Sequence, residues 1–383
     1  MTDPASALPE PFTALLDGFR KGRRAALARA ISLVEDERPG FESLLGTLYA
    51  RAGRAQRIGV TGPPGAGKST LTAGLIAAYR ARGDTVGVIA VDPTSPFTGG
   101  ALLGDRIRMN DIGLDPGVFI RSMATRGSLG GLATTTREVA DVMDAFGFER
   151  ILIETVGVGQ SELEIAATAD TTAVVLVPES GDSVQALKAG LMEIADLFVV
   201  NKADRPGGAR LAGDLELMLK LRDPAALARV GRGHHGAMVT ERRTGKAGER
   251  EKATATPPVE GSGAPSGAIS RSSAVPPRDP QAGAGAWEIP VIQTVAVEGK
   301  GVPELAAALD AHRAWAEVSG ELARKRHERL ERRVREAVAR RLALEVWNRR
   351  GGEGELAAAL PALEAGEESP YQVAARIVRH LLG

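Results

Sequence analysis

The apolar positions of this chain follow two rhythms, and the change from one to the other divides it. In residues 12–50 the spacing is helical: Leu27, Ala30, Ile31 and Val34 fall at i, i+3, i+4 and i+7. Leu44, Leu45 and Leu48 resume it after the Pro39-Gly40 break. From Arg57 short β-rich runs alternate with helical stretches. Strands are expected at Ile58–Thr61, Val86–Val91, Val118–Arg121, Arg150–Glu154, Ala173–Val177, Leu197–Val200 and Val291–Val295. Continuously apolar runs suit strands covered on both faces, and their alternation with helices predicts a mainly parallel α/β sheet flanked by helices.

Two segments depart from that rhythm. Residues 234–285 hold six prolines and eight glycines and no aromatic side chain. Such a stretch buries too little apolar surface to offset its ordering entropy, so it reads as a disordered insertion ahead of the last strand. After Gly320 a long charged helix is expected over Glu321–Arg349. Along it Leu330, Val334, Val338, Leu342 and Val346 repeat every four residues, with Ala337 beside them. A stripe this narrow predicts packing against another helix rather than a broad core. Ser369–Leu382 reads as a further short amphipathic helix. The chain thus divides into an N-terminal helical extension (1–55), an α/β domain (56–316) carrying the insertion, and a C-terminal helical arm (317–383).

Composition narrows the function. Lys plus Arg equals Asp plus Glu at 48 each, so no global basic field points to nucleic acid. No apolar run approaches the roughly 20 residues that span a bilayer, so no membrane contact is expected. Residues 1–11 include Asp3 and Glu10 and lack an apolar signal core, which argues against export. The absence of cysteine excludes disulfides and thiolate metal sites and fits a cytoplasmic location. The one histidine pair, His234-His235, lies in the low-complexity stretch and is not expected to bind metal.

The chemistry concentrates at strand ends. Gly62-Pro63-Pro64-Gly65-Ala66-Gly67-Lys68-Ser69 fits G-x-x-x-x-G-K-[ST], between a predicted strand and a helix expected over Thr70–Arg82. Glycines there let backbone N–H groups turn toward phosphate oxygens, and the helix N-terminus, Thr70 included, adds a positive dipole. In that pattern Lys68 neutralises the β- and γ-phosphates and Ser69 ligates Mg²⁺. Asn201-Lys202-Ala203-Asp204 follows another strand. An aspartate there accepts hydrogen bonds from guanine N1–H and its exocyclic amine, donors that adenine lacks, which predicts GTP and GDP as ligands.

Glu154 closes the strand Arg150–Glu154 and precedes Thr155-Val156-Gly157, the place of a Mg²⁺-holding acid in P-loop folds. No glutamine follows Gly157 directly. Val158 stands there and Gln160 comes three residues on, so slow intrinsic hydrolysis is expected. Asp92, in Asp92-Pro93-Thr94-Ser95-Pro96, and Asp105, in Asp105-Arg106-Ile107, read either as turn and cap residues or as site carboxylates.

These segments together resemble the methylmalonyl-CoA mutase-associated GTPases, the MeaB/ArgK family of SIMIBI-class P-loop GTPases. The resemblance rests on Gly59–Thr70, Val91–Pro96, Gly104-Asp105-Arg106, Arg121–Gly127, Glu154–Glu162 and Asn201–Asp204. It implies a GTPase that gates adenosylcobalamin delivery to an acyl-CoA mutase and protects that enzyme. It also implies a Mg²⁺ shell from Ser69, Asp92, Asp105 and Glu154. Asp182, Gln185 and Lys188 match a mobile loop relaying nucleotide state to the mutase, and the C-terminal helices match a homodimerisation arm. Two features depart from the family pattern. The insertion is one; the other is the last base-contacting loop, which reads Thr294-Val295-Ala296-Val297-Glu298 where the family has Ser-Ala-Leu. Two other readings share the fold class. A nickel-type metallochaperone GTPase would need Cys or His clusters, which are absent. A phosphotransferase acting on periplasmic transport proteins would need a phosphoacceptor site, and none is recognisable.

Overall fold

A computed structural model describes residues 10–92, 112–124, 131–155, 165–178, 190–222, 285–349 and 351–382. The predicted insertion therefore lies outside the described residues except at Gly285.

Seven strands form one fully parallel sheet: β1 (Gln56–Thr61), β2 (Val86–Asp92), β3 (Val118–Ala124), β4 (Arg150–Thr155), β5 (Thr171–Leu176), β6 (Leu197–Asn201) and β7 (Val291–Thr294). Their order is β3-β2-β4-β1-β5-β6-β7. Each expected strand is present, with no end moved by more than three residues.

The side chains of each strand alternate between two packed layers. Ile151 and Ile153 of β4 face one layer and Leu152 the other. On the first side lie α1 (Glu10–Arg20), α2 (Arg24–Glu35), α3 (Phe41–Tyr49) and α5 (Gly131–Phe146), joined by α6 (Gly208–Arg222) over β5 and β6. Leu27, Ala30, Ile31 and Val34, the spaced set of α2, are fully buried there. Leu44 and Leu48 are buried too, whereas Leu45 is only partly covered. On the second side α4 (Lys68–Ala81) and α7 (Val302–Val318) cover Ile58, Val60, Val88 and Leu152. Two-sided cover is what the apolar strands require, since a parallel sheet leaves neither face to water.

The long C-terminal helix departs from expectation in its extent. Its α-helical part, α8, is Glu321–Leu344, and Glu345–Arg349 widens into a π-helical turn ahead of α9 (Gly352–Glu364) and α10 (Pro370–Leu382). The stripe was expected to face another helix. Within the chain Leu330, Val334, Val338 and Leu342 are 43–63% exposed, which leaves that face free for a helix of another molecule, and only Val346 packs, against the small α9–α10 cluster. What holds α8 is its polar face. Arg326 and Arg329 reach Asp170 at the amino end of β5, and Arg333 reaches Asp141 of α5. Asp170 also accepts from Arg313 of α7 and from the backbone N–H of Arg57. Burial works against the Asp170 carboxylate, but hydrogen bonds from Arg326 and the charges of Arg329, Arg326 and Arg57 hold it well below the usual range. The arm is thus clamped to the amino end of the sheet, opposite the strand ends that carry the motifs.

Candidate functional site

The site assembles where β2, β4, β1, β6 and β7 end, beside the point where strand order reverses at β1. Ligands of open parallel sheets gather there. β1 ends at Thr61, whose hydroxyl shares a buried 3.1 Å hydrogen bond with that of Thr155 at the end of β4. The chain then turns at Gly62 with φ +138°, and a Cβ there would lie 2.1 Å from the Val175 carbonyl oxygen. Only glycine lets the loop pass so close over β5. Gly65 and Gly67 are also left-handed, and α4 starts at Lys68, two residues before its expected start.

Lys68 is buried, and its Nζ donates to the carbonyl oxygens of Gly62 at 2.9 Å and Pro63 at 3.0 Å. Its positive charge therefore sits inside the curve of the loop, next to the positive pole of α4. Ala66 is buried, Pro64 and Gly65 are exposed at the loop's tip, and Thr70 is half-buried in the first turn. A hollow with a lysine, a helix N-terminus and three left-handed glycines is chemically suited to a polyphosphate.

Ser69 Oγ donates to Oε1 of the buried Glu154 at 2.5 Å. A hydroxyl and a carboxylate side by side at the phosphate end form the hard-oxygen donor set that Mg²⁺ prefers, so the residues present fit that ion. Asp92 closes β2 with its backbone paired to Ala124 of β3. Its side chain, together with Asp105, Gln160, Asp182, Gln185 and Lys188, lies outside the described residues. Among the described residues no group of three or more His, Asp or Glu side chains forms a further metal cluster.

The other end of the hollow is organised by Asn201. Its Nδ2 donates to the Ala66 carbonyl at 2.8 Å. Its Oδ1 accepts from Thr294 Oγ1 and from the Ala296 N–H, both at 3.1 Å. One buried amide thus ties the phosphate loop to the turn after β7. Lys202 adopts φ +56°, unusual for a residue with a side chain. That twist lets Ala203 N–H donate to the Thr294 carbonyl and leaves Asp204 exposed at the rim. Val295 is buried, Ala296 is half-covered and Val297 is 82% exposed on the 3₁₀ turn Ala296–Glu298. Lys300, beside that turn, pairs with Glu298 at 2.6 Å. Glu298 chiefly, and Asp204 after it, hold the Lys300 ammonium above the ordinary lysine range, which puts Asp204 and this turn on the same rim.

The structure therefore brings together Lys68, Ser69 and Glu154 at one end and Asn201, Lys202, Asp204 and Ala296 at the other. Sequence reading named Asn201 without foreseeing its role as a cross-link, and it missed the Thr61–Thr155 bridge. Two threonines at the ends of predicted strands were the available signal. A second hollow, between Trp287, Trp315 and the start of α8, lies at the opposite end of the sheet. Its charges are largely paired internally, Arg324 with Glu321 and Glu328 and Lys325 with Asp196. No helix among the described residues is long and apolar enough to cross a membrane.

Comparison with known proteins agrees with this geometry. The family model described as methylmalonyl Co-A mutase-associated GTPase MeaB matches residues 27–350. A Pyrococcus horikoshii protein named as a GTPase is 44% identical over 330 residues, 86% of each chain. The mouse methylmalonic aciduria type A homolog, a mitochondrial protein, is 41% identical over 204 residues, 50% of this chain and 49% of its own length. Among solved structures, an LAO/AO transport system kinase superposes with a TM-score of 0.58 at 24% identity, covering 99% of this chain and all of the other. That likeness bears on the fold alone. With the phosphate loop, the Asn201 cross-link and the family match in agreement, the chain is a guanine-nucleotide-binding P-loop GTPase and belongs to the methylmalonyl Co-A mutase-associated MeaB family.

Proposed function

We propose that this GTPase gates adenosylcobalamin delivery to an acyl-CoA mutase, such as methylmalonyl-CoA mutase, and protects that mutase. The observation that carries the reading is the family match, which runs from α2 through the site and along α8 rather than stopping at the phosphate loop. The mouse relative, whose name refers to methylmalonic aciduria, supports the same substrate class.

In this reading the Gly62–Thr70 loop cradles the GTP phosphates, with Lys68 neutralising charge that develops as the γ-phosphoryl leaves. Ser69, Asp92, Asp105 and Glu154 are the proposed holders of Mg²⁺, which when bound would supply positive charge at the phosphates. Asp204 selects guanine, Lys202 flanks the base, and Val295, Ala296 and Val297 form the turn against its edge. Gln160 is the remaining candidate for orienting water. Its distance in sequence from Gly157 is consistent with slow basal turnover that a partner accelerates. Asp182, Gln185 and Lys188 relay nucleotide state to the mutase. The exposed stripe of Leu330, Val334, Val338 and Leu342 gives α8 an apolar face suited to a second copy, so a homodimer forms through the arm. The proposed compartment is the cytoplasm.

The test is cofactor loading. Apo-mutase, adenosylcobalamin and this protein are mixed with GTP or GDP, and the cobalamin spectrum of the mutase is followed. Loading that depends on the nucleotide is expected. Loading that ignores both the nucleotide and the protein refutes the gate. Release of the γ-phosphate onto a transport protein instead of into solution would establish the phosphotransferase reading.

A further inference from the structure

Helices α5 and α8 run antiparallel along one flank of the molecule, joined by charge contacts of unequal quality. Arg333 pairs with Asp141, and Arg137 Nη1 meets Glu336 Oε2 at 2.8 Å. The third contact differs. Arg340 Nη1 stands 3.7 Å from Glu138 Oε1, and its Nη2 stands 3.4 Å from Glu37 Oε1. Both distances exceed those of a charge-assisted hydrogen bond. Glu138 and the Arg340 side chain are nevertheless more than nine-tenths buried. Glu138 Oε2, Glu37 Oε1 and Arg340 Nη2 make no hydrogen bond among the described residues. Two carboxylates therefore share one guanidinium: Glu138 is buried and Glu37 a quarter exposed, and each has a buried oxygen without a hydrogen bond to offset its desolvation.

The surroundings of Glu138 can be named from every side. Arg333 and Arg340 approach from α8, Glu37 from the turn between α2 and α3, and Asp141 and Arg137 from its own helix. Phe41 of α3 supplies an aromatic face 5.8 Å from the Arg340 guanidinium carbon. Burial pushes the Glu138 carboxyl up to about 7. Arg340 and Arg333 pull against that shift, and Glu37 and Asp141 add to it. Asp170, which clamps the near end of α8, is held far below the usual carboxylate range and stays ionised throughout. The near end of the arm is therefore held by a permanent charge, while its far end, at Arg340, rests against the Glu138 carboxyl of α5, whose ionisation burial opposes.

We propose that Glu138, Glu37 and Arg340 form a proton-dependent latch fastening the far half of α8 to the core. With Glu138 neutral, Arg340 and Glu37 balance as a single pair and the contact closes. With Glu138 ionised, the cluster holds one uncompensated buried negative charge, which is relieved when α8 beyond Glu336 lifts and admits water. The sign follows from linkage. Docked Glu138 keeps its proton to about pH 7, whereas a solvated glutamate loses it near 4.5. Docking is therefore tightest at low pH and weakens by roughly tenfold per pH unit between about 5 and 7, with little further loss above. The π-turn, α9, α10 and the Val338 and Leu342 positions of the outer apolar stripe ride on the part of the arm that lifts.

The chain contains no cysteine, so a single introduced pair reports this motion cleanly. Spin labels are placed on the exposed positions Thr47 of α3 and Arg341 of α8, as Thr47→Cys and Arg341→Cys in the full chain. The labelled protein is diluted with unlabelled protein so that only distances within one chain are read. Double electron–electron resonance is expected to give one narrow distance at pH 5.5 and a broader, longer distribution at pH 8. Glu138→Gln should keep the narrow distance at both pH values, and Arg340→Met should broaden it at both. A wild-type distribution that does not change with pH would overturn the latch. So would a Glu138→Gln protein that keeps the wild-type pH dependence, or an Arg340→Met protein with an undisturbed narrow distance.

Discussion

The side-chain amide of Asn201 donates to the carbonyl oxygen of Ala66 at 2.8 Å, joining the end of β6 to the phosphate loop across 135 residues of sequence. The same amide accepts from Thr294 and Ala296, so three segments share one buried group. Asn201→Ala would leave the Ala66 carbonyl and the Ala296 N–H without their partner. Leaving such buried groups unsatisfied costs about 1–3 kcal/mol each. The expected outcome is a lower melting temperature together with GTP and GDP affinities weakened by at least tenfold. Calorimetry and nucleotide titration on the same sample check it. Unchanged affinity would mean that the loops hold their shape without the cross-link.

Asp204, exposed on the rim beside Lys300 and Glu298, is proposed to choose the base. Asp204→Asn turns two acceptor oxygens into one acceptor and one donor. The new N–H₂ suits the 2-oxo group of xanthine and opposes the exocyclic amine of guanine. GTP should bind more weakly to the variant, and XTP should bind better than it does to wild type. Parallel titrations of both nucleotides decide the matter, and an unaltered preference removes Asp204 from the base site.

At the opposite end of the sheet, Asp170 is 1% exposed and receives Arg313, Arg326 and Arg329. Asp170→Asn would strand those guanidinium groups over a neutral amide, and breaking a buried pair from one side costs about 3–5 kcal/mol. Thermal or urea unfolding should show a loss of that size. The wild-type contribution also carries a pH signature. Because the folded-state pKa is depressed, the contribution is complete above the ordinary value of 3.8 and is lost as pH falls below it. The variant should therefore lose less stability than wild type on acidification below about pH 4. A variant that tracks the wild-type curve would show that Asp170 does not hold the arm.

The sheet was legible in the sequence because its strands are short, continuously apolar and separated by helical stretches. The ends drifted because polar residues such as Gln56, Arg57 and Asn201 extend ladders that an apolar pattern cannot see. Helix α9 escaped the reading. Gly352 and Gly354 open it and Pro361 lies inside it, all residues that lower intrinsic helix preference, while packing against Val346 and Trp347 compensates. The stripe on α8 was legible as a repeat, and within the chain it stays exposed. Local spacing reports periodicity but not which face docks, and here the arginine face docks through hydrogen-bond partners 156 to 273 residues away in sequence. The phosphate loop was legible because its chemistry is contiguous. The Asn201 cross-link was not, because its partners are brought together only by strand order.

Nucleotide turnover in this protein is proposed to answer to a mutase. The most direct measurement is GTP hydrolysis by the full chain with and without purified methylmalonyl-CoA mutase, on wild type and on a variant with alanine at positions 182, 185 and 188. The account predicts slow basal hydrolysis that rises severalfold with mutase in the wild type. It predicts basal hydrolysis within a few-fold of wild type and little stimulation when Asp182, Gln185 and Lys188 are replaced. Wild-type hydrolysis that is indifferent to the mutase at concentrations where the two proteins co-elute would contradict the claim.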